Sequence, residues 1–294
     1  MSTTLLWSIV ICLCYQINIA QISGKVIDKT TKEGIPYVSI WIENGSNGTN
    51  AEADGKFTLL TSESKSTVIF SALGYEKKIL PGSREMIVEL EPTAIELSEV
   101  VVVKKYGTKQ IEIGETENSL LQAYENGPRI GIKFFPYIEK YKKTKFIKQV
   151  VLNTDCRIQE AILKIHLYKV NQDGLPGEEL MNKDFVVSVN KGVKRTAFNL
   201  SNFNLLMPKE GIFVGFERLK IESNKYEKSV FDANTQSNFI QTSFCPFVLC
   251  NRVERSYDYL FSEGEWRKEN VLSEQKGTSK TTIYEPAINL VLTN

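Results

Sequence analysis

Histidine is nearly absent: His166 is the one imidazole in 294 residues. No Ser-His-Asp or Cys-His arrangement can therefore be built away from that position, and no multi-histidine metal site can form at all. An excess of charge of either sign is missing too. Lys and Arg number 36 against 35 Asp and Glu, a formal net charge of +1. No global basic field draws this chain to phosphate backbones, so a nucleic-acid partner is not expected. Cysteine is sparse, with Cys12 and Cys14 near the start and Cys156, Cys245 and Cys250 later. Three cysteines beyond the N-terminal segment are an odd number in a chain too large to need stapling, which excludes a disulfide framework. Cys245 and Cys250 (CPFVLC) either pair in an oxidising compartment or lie as buried thiols in the core. There is no phosphate loop, no Gly-x-Ser-x-Gly elbow and no His-Glu-x-x-His helix. No cofactor and no metal are expected, and a non-enzymatic role is favoured.

What is present is ordinary globular material, 42% hydrophobic and 24% charged. At roughly 150 residues per domain the length fits two domains. Residues 1–20 carry no charge, and Leu5 to Leu13 (LLWSIVICL) form an apolar stretch ahead of the small Ala20. That pattern predicts a signal peptide cleaved near Ala20–Gln21. The stretch is shorter than the ~20 apolar residues of a membrane-spanning helix. No later stretch reaches that length, so no transmembrane span is expected after cleavage. The expected location is the periplasm, the outer-membrane surface or the medium.

From Gln21 to about Pro92 the chain reads as short strands with period-two alternation. Val38, Ile40 and Ile42 share one face, with Tyr37, Ser39 and Trp41 on the other. Phe57 and Leu59, then Val68, Phe70 and Ala72, then Met86, Val88 and Leu90 continue the inward set. Asn44-Gly45, Asn47-Gly48 and Asp54-Gly55 supply turn residues that tolerate positive φ. Two facing sheets would hide these half-apolar strands.

The succession Gly24-Lys-Val-Ile-Asp28, Gly34-Ile-Pro36, Val38-Ser39-Ile40, Gly48-Thr49, Asp54-Gly55-Lys-Phe57 and Gly74-Tyr75 resembles the carboxypeptidase-like regulatory domain. The resemblance implies a transthyretin-like β-sandwich over residues 21–92, of a kind common in exported and outer-membrane proteins of Bacteroidetes-type bacteria. It implies no peptidase residues. The following Ile95 to Val103, with four consecutive valines, is similar to the segment that leads into the plug of TonB-dependent receptors. Too little chain follows for a receptor barrel. Residues 93–129 are expected to be a linker with this Val-rich strand and a short helix over Glu115 to Asn126.

From Ile130 to the end the β pattern resumes. Leu163, Ile165 and Leu167 alternate with Lys164, His166 and Tyr168; Phe185, Thr196, Ile212, Tyr257 and Ile288 each open a further alternating run. Strands separated by loops, without a sustained helical period, predict a second, larger sandwich over 130–294. The pieces Leu167 to Val170, Asp173 to Glu178, Asn199 to Ser201 and Gly211 to Phe216 look like jelly-roll modules of secreted bacterial proteins, some of which bind glycans. The expected fold is all-β: a transthyretin-like sandwich followed by a jelly-roll-like one.

His166 is expected on a solvated or inter-sheet face, without a sequence motif that supplies an orienting partner. Asp54-Gly55 and Asp173-Gly174 lack the spacing of calcium loops and read as turns. The run Lys140 to Lys148 (KYKKTKFIK) either meets an anionic polymer or lipid headgroups, or is a lysine-rich loop and strand edge. Trp41, Trp266, Tyr257 and Tyr259 are the candidate ligand-binding residues, since exposed rings stack on sugars; cross-strand packing is the alternative. The expected function is a non-catalytic, exported binding or adaptor protein that presents a sandwich surface to a glycan, a peptide or an envelope protein. The rivals are a hydrolase using acidic residues of the second domain, and a structural partner of TonB-dependent transport.

Overall fold

The structure, a computed structural model, describes residues 20–45, 47–61, 66–93, 107–115, 119–121, 130–262, 264–270 and 282–294. The segment before Ala20, expected to be a signal peptide, and the four valines lie outside the described residues.

The first module packs two sheets. One holds Lys56–Thr61 (β4), Ala20–Asp28 (β1) and Glu85–Leu90 (β7) in that order. The other orders Gly48–Asn50 (β3), Ser39–Ile42 (β2), Thr67–Ser71 (β5) and Lys78–Pro81 (β6). The alternation seen in the sequence is the packing: β4 buries Phe57, Leu59 and Thr61 and exposes the residues between them. Val26, Val38, Ile40, Val68, Phe70, Val88 and Leu90 are all fully buried in the core between the sheets. Each such side chain contributes roughly 1.5–3 kcal/mol by leaving water. β1 runs parallel to β7 and antiparallel to β4. Gly24 is required there because a Cβ would lie 2.0 Å from the Met86 carbonyl oxygen. Gly55, at φ +83°, makes the turn before Phe57, and a Cβ there would meet Val26 O at 2.4 Å. Asp28 accepts hydrogen bonds from the Thr30 and Thr31 amides and from the Tyr75 hydroxyl, locking the far end of β1 to the chain after Gly74.

The second module is a larger sandwich. Its five-stranded sheet orders Ile130–Phe135 (β10), Ile212–Arg218 (β16), Ala161–Val170 (β12) and Pro176–Glu179 (β13), with Phe185–Val189 (β14) also on β12. The opposing sheet orders Thr282–Pro286 (β22), Phe247–Glu254 (β19), Phe146–Cys156 (β11), Ile288–Thr293 (β23) and Gln110–Ile113 (β8). Gly192–Asn199 (β15) joins β11, and Ser119–Leu121 (β9) joins β19. Between the sheets lie Leu152, Leu163, Leu167, Ile212, Val214, Ile288, Leu290 and Leu292, each fully buried. Two antiparallel hairpins complete the module: Lys225–Asp232 (β17) with Ser237–Phe244 (β18), and Tyr257–Ser262 (β20) with Glu265–Asn270 (β21).

Several expectations change. Ser119–Leu121, inside the expected helix, is a strand paired with Leu249–Asn251. The rest of that segment, apart from Glu115, is outside the described residues. The strand that ends the lysine run, β11, is interior and paired on both sides, and Lys145 sits 5.5 Å over the Phe146 ring. Cys156, Cys245 and Cys250 are free and buried. No helix of the described residues is long and apolar enough to cross a membrane.

The largest departure concerns the outward face of β12. Lys164, His166 and Tyr168 are buried as deeply as core residues, at 2%, 8% and 8% exposure. Of the two placements expected for His166, solvated or inter-sheet, the solvated one fails because the first module and the β20–β21 hairpin cover that face. β16 is buried on both faces: Ile212, Val214 and Phe216 face the core between the sheets, while Phe213 and Glu217 lie under this cover.

Candidate functional site: a cleft between the two sandwiches

The ladder between β12 and β16 sets Lys164 opposite Glu217, His166 opposite Gly215 and Tyr168 opposite Phe213. Gly215 carries no side chain because β10 crowds it: a Cβ there would lie 2.7 Å from the Ile132 side chain. The turn after β12 is held by Asn171, whose Oδ1 accepts from the Asp173 and Leu175 amides. It sends β13 back along β12 and delivers Glu179. That carboxylate accepts from the Leu167 amide at 3.1 Å and meets His166 Nδ1 at 2.6 Å. His166 Nε2 lies 3.3 Å from Glu217 Oε2. Lys164 Nζ closes the row on Asp184 at 2.7 Å.

The first module completes this cluster. Ser39 Oγ and Asn50 Nδ2 donate to Glu217 Oε1 at 2.6 and 2.8 Å. The Lys220 amide donates to Asn50 Oδ1 at 2.9 Å, and the Glu222 amide to Glu52 at 2.8 Å. Ser39, Asn50 and Glu52 come from β2, β3 and the loop after β3, so one buried carboxylate of the second sandwich is solvated by polar groups of the first. Burial of an unpaired charge would be costly; here every partner is in place.

Burial alone would lower the His166 pKa, but the charges and hydrogen bonds of Glu179 and Glu217 outweigh it and raise it to about 10. Burial would raise that of Glu217; Lys164, His166 and Ser39 overcome it and hold the carboxyl down to about 2. At neutral pH His166 is an imidazolium and Glu217 a carboxylate. Tyr168, stacked on the imidazole at 5.5 Å and 7°, is kept a neutral phenol by burial and by Glu179 and Glu217.

Above this charged floor opens a cavity of about 1030 Å³ lined from both modules. Tyr75 and Trp41 line it from the first; His166, Glu179 and Trp266 line it from the second. Trp266 is paired across the hairpin with Phe261 and meets Tyr168 edge-on at 5.8 Å. Phe261 in turn meets Trp41 at 6.4 Å. Trp41 is buried beneath the hairpin, with Gly264 against its ring. Among the described residues the buried Trp41 Nε1 meets no hydrogen-bond acceptor.

Two of the four sequence-derived candidates, Trp41 and Trp266, thus converge on the cleft. Tyr257 and Tyr259 do not line it. Tyr259 packs edge-on against Phe213 at 4.9 Å, and the Arg255 guanidinium lies over both tyrosine rings. Arg255 also binds Glu285, which pairs with buried Lys133, so the root of the hairpin is anchored electrostatically. Sequence reasoning missed Glu179, Glu217 and Lys164. The available signal was the charge placed at alternate positions of two otherwise apolar strands, ILKIHLY and IFVGFE.

None of the curated proteins matches the chain. Among solved structures, a chain of the structure of infectious bursal disease virus Gx strain is similar at 13% identity and a TM-score of 0.25. The similarity covers 95% of this chain, which spans 60% of that one. Residues 22–102 match the family model of the CarboxypepD_reg-like domain, so the first sandwich, with Gly24 in β1 and its Asp54-Gly55 and Gly74-Tyr75 turns, is a domain of that kind.

Proposed function

We propose that the protein is a non-catalytic binding module of the cell envelope that holds a glycan in the cleft between its two sandwiches. The observation that carries this reading is the shape of the cleft: an aromatic wall led by Trp266 stands over a row of fixed charges. Flat rings suit the apolar faces of sugars, and carboxylates and amides suit their hydroxyls. A volume of about 1030 Å³ has room for more than one sugar ring. The regulatory-type first domain supports an adaptor role, and the uncharged apolar start of the chain supports export.

Hydrolysis by acidic residues has one observation in its favour, two carboxylates in one cleft. Against it stand the protonation states of Glu217 and of the His166 that lies between the two carboxylates. A general acid or base works best with a pKa near the working pH, whereas His166 and Glu217 are displaced in opposite directions away from neutrality. The test is an oligosaccharide array probed with purified protein and with Trp266→Ala. Retention of one glycan class, weakened at least tenfold (about 1.4 kcal/mol) by the substitution, supports the reading. Retention of peptides or envelope proteins alone, or release of cleaved sugars, overturns it.

A further inference from the structure

The cleft uses none of the cysteines, yet two of them meet inside the second sandwich. Cys156 ends β11, and Cys245 stands two residues before β19, which pairs with β11 through Thr154–Val248 and Asp155–Phe247. Both thiols are buried, at 1% and 0% exposure. The amide of Arg157, the residue next to Cys156, donates to Cys245 Sγ at 3.4 Å, which brings the Cys245 sulfur against the end of β11. Cys250 is excluded from this pair. It lies in β19 on the order of 10 Å beyond Phe247 at ~3.3 Å per residue, more than the ~7 Å between Cα atoms that a disulfide spans.

We propose that Cys156 and Cys245 are joined by a disulfide in the mature protein, tying the end of β11 to the start of β19. The export reading supplies the place where the oxidant is met; the geometry stands without it. The oxidant is a small-molecule or protein disulfide encountered before the sandwich closes over the thiols. The Cys245 thiolate attacks one sulfur of that disulfide and expels the other as a thiolate, giving a mixed disulfide. The Cys156 thiolate then attacks the Cys245 sulfur. An Sγ–Sγ bond forms, the oxidant leaves as its second thiol, and the two cysteine protons pass to the departing thiolates. Two electrons move from the cysteine pair to the oxidant. Exchanging the roles of the two cysteines gives the same product.

The test refolds the full chain in a mixture of oxidised and reduced glutathione, alkylates free thiols and digests with trypsin without reduction. The expected product joins peptide 149–157 to peptide 229–252, with fragmentation placing the link at Cys245. Cys250→Ala keeps the link, and Cys245→Ala abolishes it. Adding reductant lowers the melting temperature of the wild-type protein by on the order of 5 °C. Recovery of both peptides fully alkylated, or a link through Cys250, overturns the proposal. A link that forms in a protein found in the cytosol removes the export reading alone.

Discussion

His166 is held between two carboxylates, and its charge has consequences for how the protein responds to pH. Its pKa rises from 6.5 to about 10 on folding, so its contribution to stability is complete below pH 6.5 and is lost as pH rises through about 10. Glu217 moves the other way, from 4.5 to about 2, so its contribution is complete above pH 4.5 and is lost as pH falls towards 2. These two groups therefore place maximal stability between pH 4.5 and 6.5, with a long alkaline decline. Melting curves across pH should trace that profile, and His166→Gln should flatten its alkaline limb; an unchanged limb would remove the imidazolium from the account. Glu217→Gln, measured by urea unfolding, should cost about 3 kcal/mol or more, because it leaves buried His166 and Lys164 short of a counter-charge. The sequence already displayed His166 between Lys164 and Tyr168. Its partners were hidden by distance along the chain, Glu179 being 13 residues away and Glu217 51. A period-two pattern says which residues share a face, not what covers that face.

At the scale of strands and turns, the apolar alternation carried most of the information. Phe57 with Leu59, Val68 with Phe70, and Leu163 with Ile165 and Leu167 all point into their cores as the pattern requires. Gly24, inside β1, is fixed by close approach. Gly24→Ala would drive a Cβ into the Met86 carbonyl across the parallel β1–β7 pair, and its urea midpoint should reveal a loss of at least about 2 kcal/mol. Stability within about 0.5 kcal/mol of wild type would show that the pair can separate freely. By contrast Ile240→Ser, on the exposed face of the β17–β18 hairpin at 62% exposure, should change stability by no more than about 0.5 kcal/mol. The segment around Ser119 to Leu121 was misread because its adjacent leucines fit a helical stripe and a short strand equally well. Pairing with Leu249–Asn251 decides between them, and such tertiary pairing is invisible to local periodicity.

For the molecule as a whole, the two sandwiches were legible in the sequence, but their contact was not. Ser39 and Asn50 are unremarkable polar residues until Glu217 arrives between them. A double-mutant cycle of Asn50→Ala with Glu217→Gln should give a coupling of about 1 kcal/mol or more across the boundary, and strict additivity would dissolve the shared cluster. The same contact makes the proposed binding cleft a joint product: the first module contributes Tyr75 and Trp41, the second Trp266 and the charged floor. Hydrogen exchange followed by mass spectrometry, with and without the oligosaccharide retained on the array, tests that joint site most directly. Exchange should slow together in Ala72–Tyr75 of the first sandwich and in Lys164–Tyr168 and the Trp266 hairpin of the second. Slowing confined to one sandwich, or to surfaces away from these segments, would contradict it.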